Sequence, residues 1–275
     1  MSIRSILYRG FSKLANVFKQ RSIAPGPMWT GEYLSWDEAK TLCTGYDSNE
    51  ILQKCAASIL KVKNGEAVYE RDSVIFNKIQ YSWELLAGLQ KAAIDNAGYL
   101  SVLDFGGSLG STYFQNRDFL GVLNKFQWSI IEQPNFIDLG KEKIEDEVLK
   151  FYYTIEECLK EVSPNVMLLS AVLQYLENPY ECLDEFISYK FEYVIIDRTA
   201  INTLGKDRLT IQNVPEEIYK ASYPAWFLDD EKLRKCFAES YTLLANFKSS
   251  FENHVEIDEN LIASWNGYIF RYNEK

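Results

Sequence analysis

The chain has 275 residues, a formal net charge of −10, five cysteines and one histidine. This length suits one large α/β domain with additions or two small domains. The negative charge disfavours nucleic acid as the main partner, because phosphates would be repelled. The cysteines form no Cys-x-x-Cys pair, and a single histidine leaves little material for a metal site, so we expect no metal.

Residues 1–22 are basic, contain no acid, and carry apolar residues at helical spacing. The apolar residues are Ile3, Leu7, Phe11, Leu14 and Phe18. This pattern predicts an amphipathic helix, followed by an Ala-Pro-Gly-Pro linker at residues 24–27. Such a helix lies on an anionic membrane surface, or packs on its own domain or on a second copy of the chain. We therefore expect a cytoplasmic protein, alone or as a homodimer, with the inner membrane face as a further location.

Residues 28–98 are predicted to form a mostly helical segment. Ser35 begins a capping-box pattern for a helix through about Leu42, and Asn49 is a cap for a helix at 50–62. A third helix is predicted from about residue 75 to residue 97. The charged stretch at residues 69–72, taken by itself, predicts a solvated loop with internal ion pairs.

Residues 99–275 begin with a glycine-rich stretch. Leu100–Leu103 predicts a buried strand that Asp104 closes, and the helix that starts at Ser111 is predicted to continue to Leu123. Between them stand Gly106, Gly107, Ser108 and Gly110. This loop lets backbone N–H groups approach a ligand closely, but it lacks the Gly-x-Gly-x-x-Gly pattern of dinucleotide sites.

The acid that precedes the glycines favours a ligand with an ammonium group over a pyrophosphate, which it would repel. S-adenosylmethionine (SAM) carries an ammonium, a sulfonium and a ribose diol. The next predicted strand, residues 128–132, ends in Glu132, whose carboxylate is a partner for that diol. Asp104 and Glu132 together therefore favour a SAM site.

The remaining pattern alternates strands and helices. Strands are predicted at 149–153, 166–170, 193–197, 241–247 and 268–272, and helices at 136–147, from Asn178, and at 229–238. Thr154 and Ile155, after the third strand, are where an adenine ring would lie. Residues 200–228 are predicted to be a long connection. The alternation predicts an α/β fold with a seven-stranded, mostly parallel, Rossmann-like sheet and helices on both faces.

Several stretches together resemble a family of class I SAM-dependent methyltransferases. They are Gly45-Tyr46, Tyr69–Ser73, Leu103–Ser111, Ile131–Gln133, Leu169-Ser170, Leu173–Leu176, Ile196–Thr199 and Ala221–Pro224. The resemblance runs from about Trp29 to Trp226. It implies SAM as the methyl donor and the same seven-stranded sheet. The family's genes often lie among surface-polysaccharide genes, which implies a sugar or glycolipid acceptor.

The resemblance also implies roles for individual residues. The methionine end of SAM would be held by Asp104, Gly106, Gly107, Ser108 and Gly110. Glu132 and the adjacent Gln133 would lie at the ribose, and Ser170 beside the cofactor through its backbone. The match at residues 69–73 favours a place in the active cleft for Glu70, Arg71 and Asp72.

Methylation of a sugar hydroxyl requires a general base, because that hydroxyl is a poor nucleophile. Asp197 is the first candidate, since it ends a central predicted strand; Arg198 would orient an anionic acceptor or pair with Asp197. Asp72 and Glu70 come second and His254 third. An aromatic wall for the sugar is predicted from Tyr175, Tyr219, Tyr223 and Trp226, with core packing as the alternative role.

Two other functions stay open at the level of sequence. The chain could bind SAM without catalysis, as a regulatory or scaffold protein. It could also be an NAD-dependent sugar-modifying enzyme. Binding of SAM and NAD distinguishes these alternatives.

Overall fold

The computed structural model describes residues 28–45, 49–202, 204–215, 218, 221–249, 255–258 and 261–273. The strands are β1 (Trp29–Tyr33), β2 (Tyr69–Arg71), β3 (Val74–Phe76), β4 (Tyr99–Phe105), β5 (Lys125–Ile131), β6 (Leu149–Tyr152), β7 (Val166–Ser170), β8 (Tyr193–Asn202), β9 (Arg208–Asn213), β10 (Ser222–Asp229), β11 (Tyr241–Lys248), β12 (Val255–Asp258) and β13 (Leu261–Tyr272). The helices are α1 (Trp36–Thr41), α2 (Asn49–Lys63), α3 (Trp83–Asp95), α4 (Ser111–Leu120), α5 (Pro134–Lys143), α6 (Ile155–Glu161), α7 (Pro179–Ser188) and α8 (Asp230–Phe237), and a 3₁₀ turn covers Leu173–Tyr175.

The central sheet contains the seven strands that the sequence predicts. Strands β6, β5, β4, β7 and β8 are parallel neighbours in that order, and β13 and then β11 continue the sheet in antiparallel pairing. The central strands are apolar because both of their faces are covered. In β7, Val166–Leu169 is fully buried. The α/β fold with a mostly parallel sheet is thus confirmed.

Helices cover both faces of this sheet. Because side chains alternate along a strand, Leu100 and Val102 of β4 enter a core with α2, α3, α4 and α5. Leu103 enters a second core with α6, α7 and α8. By the same alternation, even-numbered residues of β4 and the odd-numbered residues of β8 from Tyr193 to Asp197 point towards the α2–α5 face. Beyond an irregularity after Asp197 the order changes, and Ile201 enters the second core. This alternation decides where two of the predicted site carboxylates lie.

The sheet is larger than predicted because residues 200–228 contribute strands instead of a long connection. Strand β8 continues to Asn202, and β10 pairs with its last two residues in parallel, followed by antiparallel β9 and β1. Ile201 of β8 pairs with Leu228 of β10 and also with Ser264 of β13. A strand has two edges, and β13 occupies one edge of β8. β10 therefore lies on the other edge, which it shares with β7, beyond the carboxyl end of β7. This extension overhangs the carboxyl edge of the parallel strands.

The region at 28–98 also departs from the predicted pattern. The capped helix after Ser35 and the helix through Val62 are present, but β1 joins the main sheet. Residues 69–76 form the β2–β3 hairpin, so the third helix begins only at Trp83. The hairpin turn places Asp72 and Ser73 at φ values of 51° and 65°, the left-handed conformation that a two-residue type I′ turn needs. The sequence signal was weak because this turn lacks the usual Asn-Gly.

Two predicted helices end earlier than expected, α4 at Leu120 and α5 at Lys143. No helix among the described residues is long and apolar enough to cross a bilayer. Residues 1–27 lie outside the described residues. The amphipathic helix at 1–22, its linker, and its membrane or dimer contact therefore stay predictions.

Candidate functional site

A cavity of about 920 Å³ lies at the carboxyl edge of the parallel strands. One side is formed by the glycine loop after β4, by residues at the carboxyl ends of β5 and β7, and by Arg198 within β8. The β2–β3 hairpin and α2 contribute further wall, and the β1–β9–β10 extension closes the opposite side. The carboxyl edge is where ligands bind in open α/β sheets. The fold therefore builds one pocket with two sides of different origin.

The glycine loop forms the tightest part of the wall. Gly106 has φ +74°, and a Cβ built there would lie 2.4 Å from Cγ2 of Val172, on the loop after β7. Its N–H donates to the carbonyl oxygen of Ile131 at 2.8 Å, which ties the loop to the end of β5. Gly106, Gly107 and Ser108 line the cavity, whereas Gly110, at φ +95°, packs against the core at the start of α4. Only glycine allows the backbone to approach Val172 this closely.

Glu132 lines the cavity immediately after β5, as the sequence predicts for a ribose partner, and Gln133 lies beside it. Its carboxylate accepts hydrogen bonds from the N–H of Ser108 at 3.2 Å and of Gln133 at 2.8 Å. Burial raises the pKa of Glu132, and these two hydrogen bonds oppose the rise. A carboxylate offers about four acceptor positions, so two remain for a ligand.

Asp104, predicted to hold the methionine end of a ligand, does not line the cavity. Strand β4 continues past it to Phe105, so Asp104 is 1 % exposed and points towards the α2–α5 face. There the indole N–H of Trp128 donates to Oδ2 at 3.0 Å, and the side chain packs under Gly107. Burial, and secondarily the charge of Glu132, raise the pKa of Asp104 to about 7. Asp104 supports the loop from below.

Asp197, predicted as the general base, is likewise set back from the cavity. Strand β8 continues beyond it, and the side chain is 2 % exposed on the α2–α5 face. Its carboxylate accepts hydrogen bonds from the hydroxyls of Ser82 and Ser170, both at 3.5 Å. Ser170 does line the cavity, at the end of β7. Asp197 is therefore connected to the cavity indirectly, through the hydroxyl of Ser170 and through Arg198, the next residue in the chain.

The β2–β3 hairpin brings charged groups into the cavity, and the prediction of a solvated loop was wrong. Tyr69 and Glu70 are each 3 % exposed, and Glu70, Arg71 and Asp72 all line the cavity. Gln115 of α4 donates to the hydroxyl of Tyr69 at 3.2 Å, which anchors the hairpin to α4. The hairpin is thus part of the packed wall.

An ion pair links the hairpin to the sheet. Arg198 donates to Oδ2 of Asp72 at 3.2 Å, and both residues line the cavity. The Arg198 side chain is 16 % exposed and the Asp72 side chain 59 %. Arg198 has φ +54° and lies where the pairing of β8 with β13 is irregular. The two predicted catalytic residues Asp72 and Arg198 are therefore brought together.

Backbone strain concentrates at this cavity. Seven described residues other than glycine have positive φ. Five of them line the cavity: Asp72, Ser73, Ser108, Ala171 and Arg198. Such conformations cost about 1–3 kcal/mol each and persist where the surrounding structure holds them, typically at functional sites. The distribution of strain therefore marks this cavity independently of its residue types.

The far side of the cavity, towards the β1–β9–β10 extension, is aromatic and polar. Tyr175 donates to Oε1 of Gln212 at 2.9 Å, and its ring meets that of Tyr223 edge-on at 5.3 Å. Trp36, Trp29 and Trp265 add further aromatic wall. Trp226, predicted in this wall, lies behind it, stacked at 6.3 Å on Trp36.

Gln174 is a cavity residue that the sequence analysis did not select. It is 3 % exposed, and its Nε2 donates to the carbonyl oxygen of Arg198 at 3.3 Å. That bond fixes the amide, since a carbonyl accepts only from the NH₂ end. No described residue donates to the buried Oε1 atom, so this oxygen is available to a ligand. Its position shortly after β7, in the 3₁₀ turn, is the feature that could have identified it as a site residue.

The other predicted residues lie elsewhere. Thr154 caps α6 by accepting from the N–H of Glu157 at 3.2 Å, and Ile155 is buried in the second core. Neither lines the cavity, although the preceding Tyr153 does. Tyr219, His254 and Tyr46 lie outside the described residues.

Comparison with known proteins gives only distant similarities. No protein-family model matches the chain, and no curated protein matches it. Among solved structures, the N-terminal domain of EvdMO1, crystallised in the presence of S-adenosylhomocysteine (SAH) and D-fucose, is 12% identical, with a TM-score of 0.47 over 83% of this chain and 98% of that chain. A SAM-dependent methyltransferase from Clostridium acetobutylicum is 8% identical, with a TM-score of 0.44 over 71% of this chain and 93% of that chain. A 1,6-didemethyltoxoflavin N1-methyltransferase from Burkholderia thailandensis, with bound SAH, is 12% identical, with a TM-score of 0.39 over 84% and 95%.

Proposed function

We propose that this chain is a class I SAM-dependent methyltransferase that methylates a hydroxyl of a sugar, polysaccharide or glycolipid. The observation that carries the proposal is the single cavity with two chemically different sides. Its volume of about 920 Å³ is near the upper end of the range for pockets that enclose a drug-sized ligand, about 300–1,000 Å³. This supports room for a nucleoside cofactor and a small acceptor group together.

The side nearest the glycine loop suits SAM. Glu132 keeps acceptor positions for a ribose diol, and the loop residues Gly106–Ser108 expose backbone to the cavity. Three carboxyl groups, those of Glu70, Asp72 and Glu132, line the cavity near the thiol of Cys55. Burial, then the charges of Glu70, Asp72 and Glu132, raise its pKa to about 12, against an opposing hydrogen bond with Ser108. A negative field attracts the ammonium and sulfonium of SAM.

The same field argues against the NAD-dependent alternative. In dinucleotide sites the pyrophosphate lies at the N-terminus of the helix that follows the glycine loop. Here the carboxyl group of Glu70 lies beside that position, since the hydroxyl of Ser111, the first residue of α4, donates to it. Burial raises the pKa of Glu70 to about 7, and in its ionised form this carboxyl group would repel a pyrophosphate here.

The aromatic side of the cavity suits a sugar. Aromatic rings present flat apolar surface, and the hydrogen-bonded pair Tyr175 and Gln212 among them is neutral. Gln212, Gln174 and the tyrosine hydroxyls can bond sugar hydroxyls, with the Oε1 atom of Gln174 as a ready acceptor. This combination of stacking surface and neutral polar groups supports the acceptor class that the family resemblance implies.

The chain's contribution to the reaction would be alignment, exclusion of water and removal of a proton. SAM supplies a methyl group on a positively charged sulfur, which is a good leaving group, so positioning dominates. Asp72 lines the cavity with a side chain that is 59 % exposed, and Arg198 donates to its carboxylate. We therefore assign the role of general base to Asp72. Asp197, whose carboxylate accepts from the Ser170 hydroxyl, is the second candidate.

Two measurements test the proposal. Isothermal titration with SAM, SAH and NAD should give binding of the first two and none of NAD. Incubation with SAM and a panel of sugar, glycolipid and small-molecule acceptors should give a product heavier by one CH₂ in a mass spectrum. Binding of NAD without SAM would refute the proposal. SAM binding without turnover on any acceptor would favour the non-catalytic alternative.

A further inference from the structure

Glu70 occupies an unusual position for a carboxylate. It is 3 % exposed, yet it lines the cavity beside the exit of the glycine loop. The hydroxyl of Ser111 donates to Oε1, and the N–H of Ser73 donates to Oε2 at 3.1 Å. With about four acceptor positions, the carboxylate can still accept from a donor in the cavity. The hairpin therefore holds a fixed acceptor at the loop.

The acid that precedes the glycine loop cannot supply this charge. Asp104 lies under Gly107, is 1 % exposed, and is bonded to Trp128 on the side away from the cavity. Glu132, the other carboxylate near the loop, is held at the end of β5 by the N–H groups of Ser108 and Gln133. Of Asp104, Glu132 and Glu70, only Glu70 both lines the cavity and accepts a hydrogen bond from α4.

The hairpin is held firmly enough to place this carboxylate. Ser58 of α2 donates from its hydroxyl to the carbonyl oxygen of Ser73 at 2.8 Å, and Tyr69 is anchored to Gln115 of α4. The strained turn at Asp72 and Ser73 fixes the direction of the hairpin over the cavity. A carboxylate that is already held in place binds a cationic group without the entropy cost of ordering its own side chain.

We propose that Glu70 is the counter-charge for the ammonium group of the methionine moiety of SAM, supplied by the β2–β3 hairpin in place of Asp104. This inference rests on the proposed function. Under this inference, the Tyr-Glu-Arg-Asp segment at residues 69–72 lines the cavity and also binds the cofactor, through Glu70. The inference also explains why a buried carboxylate is kept at a point where a purely structural contact with Ser111 would need only a neutral side chain.

The test compares SAH with an SAH analogue that lacks only the α-amino group, by isothermal titration. The wild-type protein should prefer SAH by about 10- to 100-fold, the range for one hydrogen bond to a charged group. In Glu70→Gln most of this preference should disappear, while the analogue binds as in wild type. Glu66→Gln, an exposed glutamate just before the hairpin, should keep the full preference.

Each contrary outcome is informative. A wild-type protein that binds both nucleosides equally would overturn the inference without any variant. An unchanged preference in Glu70→Gln would leave Glu70 as a structural anchor of α4 and nothing more. Glu70→Asp keeps the charge, so it should keep more of the preference than Glu70→Gln does; a preference no larger than that of Glu70→Gln would contradict the assignment. If neither nucleoside binds the wild type, the proposed function itself fails.

Discussion

The close approach of the glycine loop to Val172 predicts a large effect of one added methyl group. In Gly106→Ala, the left-handed backbone at φ +74° costs about 1–2 kcal/mol for a residue with a side chain. The new Cβ would also lie 2.4 Å from Cγ2 and 2.9 Å from Cβ of Val172, and overpacking of this kind costs about 1–3 kcal/mol more. We expect a loss of about 2–5 kcal/mol in the free energy of unfolding, and loss of SAH binding as the loop shifts.

Gly65 provides the matched control for this prediction. Its φ of +76° is nearly the same, but no described atom lies within 4 Å of an added Cβ. Gly65→Ala should therefore lose only the backbone contribution, about 1–2 kcal/mol, and keep SAH affinity. Urea unfolding measures the stability and isothermal titration the affinity. If the two variants lost equal stability and both bound SAH normally, the role of the Gly106–Val172 contact would be refuted.

Three further predictions concern carboxylates of the site. Glu132→Ala should weaken SAH binding by about 1.5–3 kcal/mol in a titration, whereas Glu142→Ala on the exposed side of α5 should not change it; equal affinities would remove Glu132 from the site. Asp72→Asn should abolish turnover while SAH still binds, and Asp197→Asn should reduce turnover less; the reverse order in an initial-rate assay would return the role of base to Asp197. Burial raises the pKa of Asp104 from 3.8 to about 7, so the folded state holds a proton that the unfolded state releases between these values. The free energy of unfolding should therefore fall as pH rises from about 4 to 7, and urea titrations of Asp104→Asn should show a shallower fall.

The parallel core was predictable because its signal is local. Strand β7 is a run of apolar residues, and the glycine loop follows β4 directly, so strand, turn and helix could each be assigned from a few residues. The strands of the β1–β9–β10 extension carry no such signal. Arg208 and Thr210 are buried within β9, and Pro224 stands inside β10, so polar residues concealed β9 and a proline concealed β10.

The positions of the site carboxylates could be predicted only in part. Glu132 follows β5 and reaches the cavity, as expected. Asp104 and Asp197 were expected at strand ends, but β4 and β8 continue past them, and side-chain alternation then turns both towards the helices. β4 continues past its acid by one residue and β8 runs on to Asn202, and sequence patterns do not place strand ends to within a few residues. Glu70 reaches the cavity because β2 and β3 form a hairpin, and the strained two-residue turn of that hairpin is hard to recognise in a sequence.

The central claim is that the cavity at the carboxyl edge of β4, β5, β7 and β8 is a SAM site. A crystal structure of the protein with SAH tests it most directly. The account predicts the ribose at Glu132, the methionine moiety between the glycine loop and Glu70, and the homocysteine sulfur directed towards the aromatic side. SAH bound outside this cavity, or a cavity that stays free of SAH at saturating concentration, would contradict it.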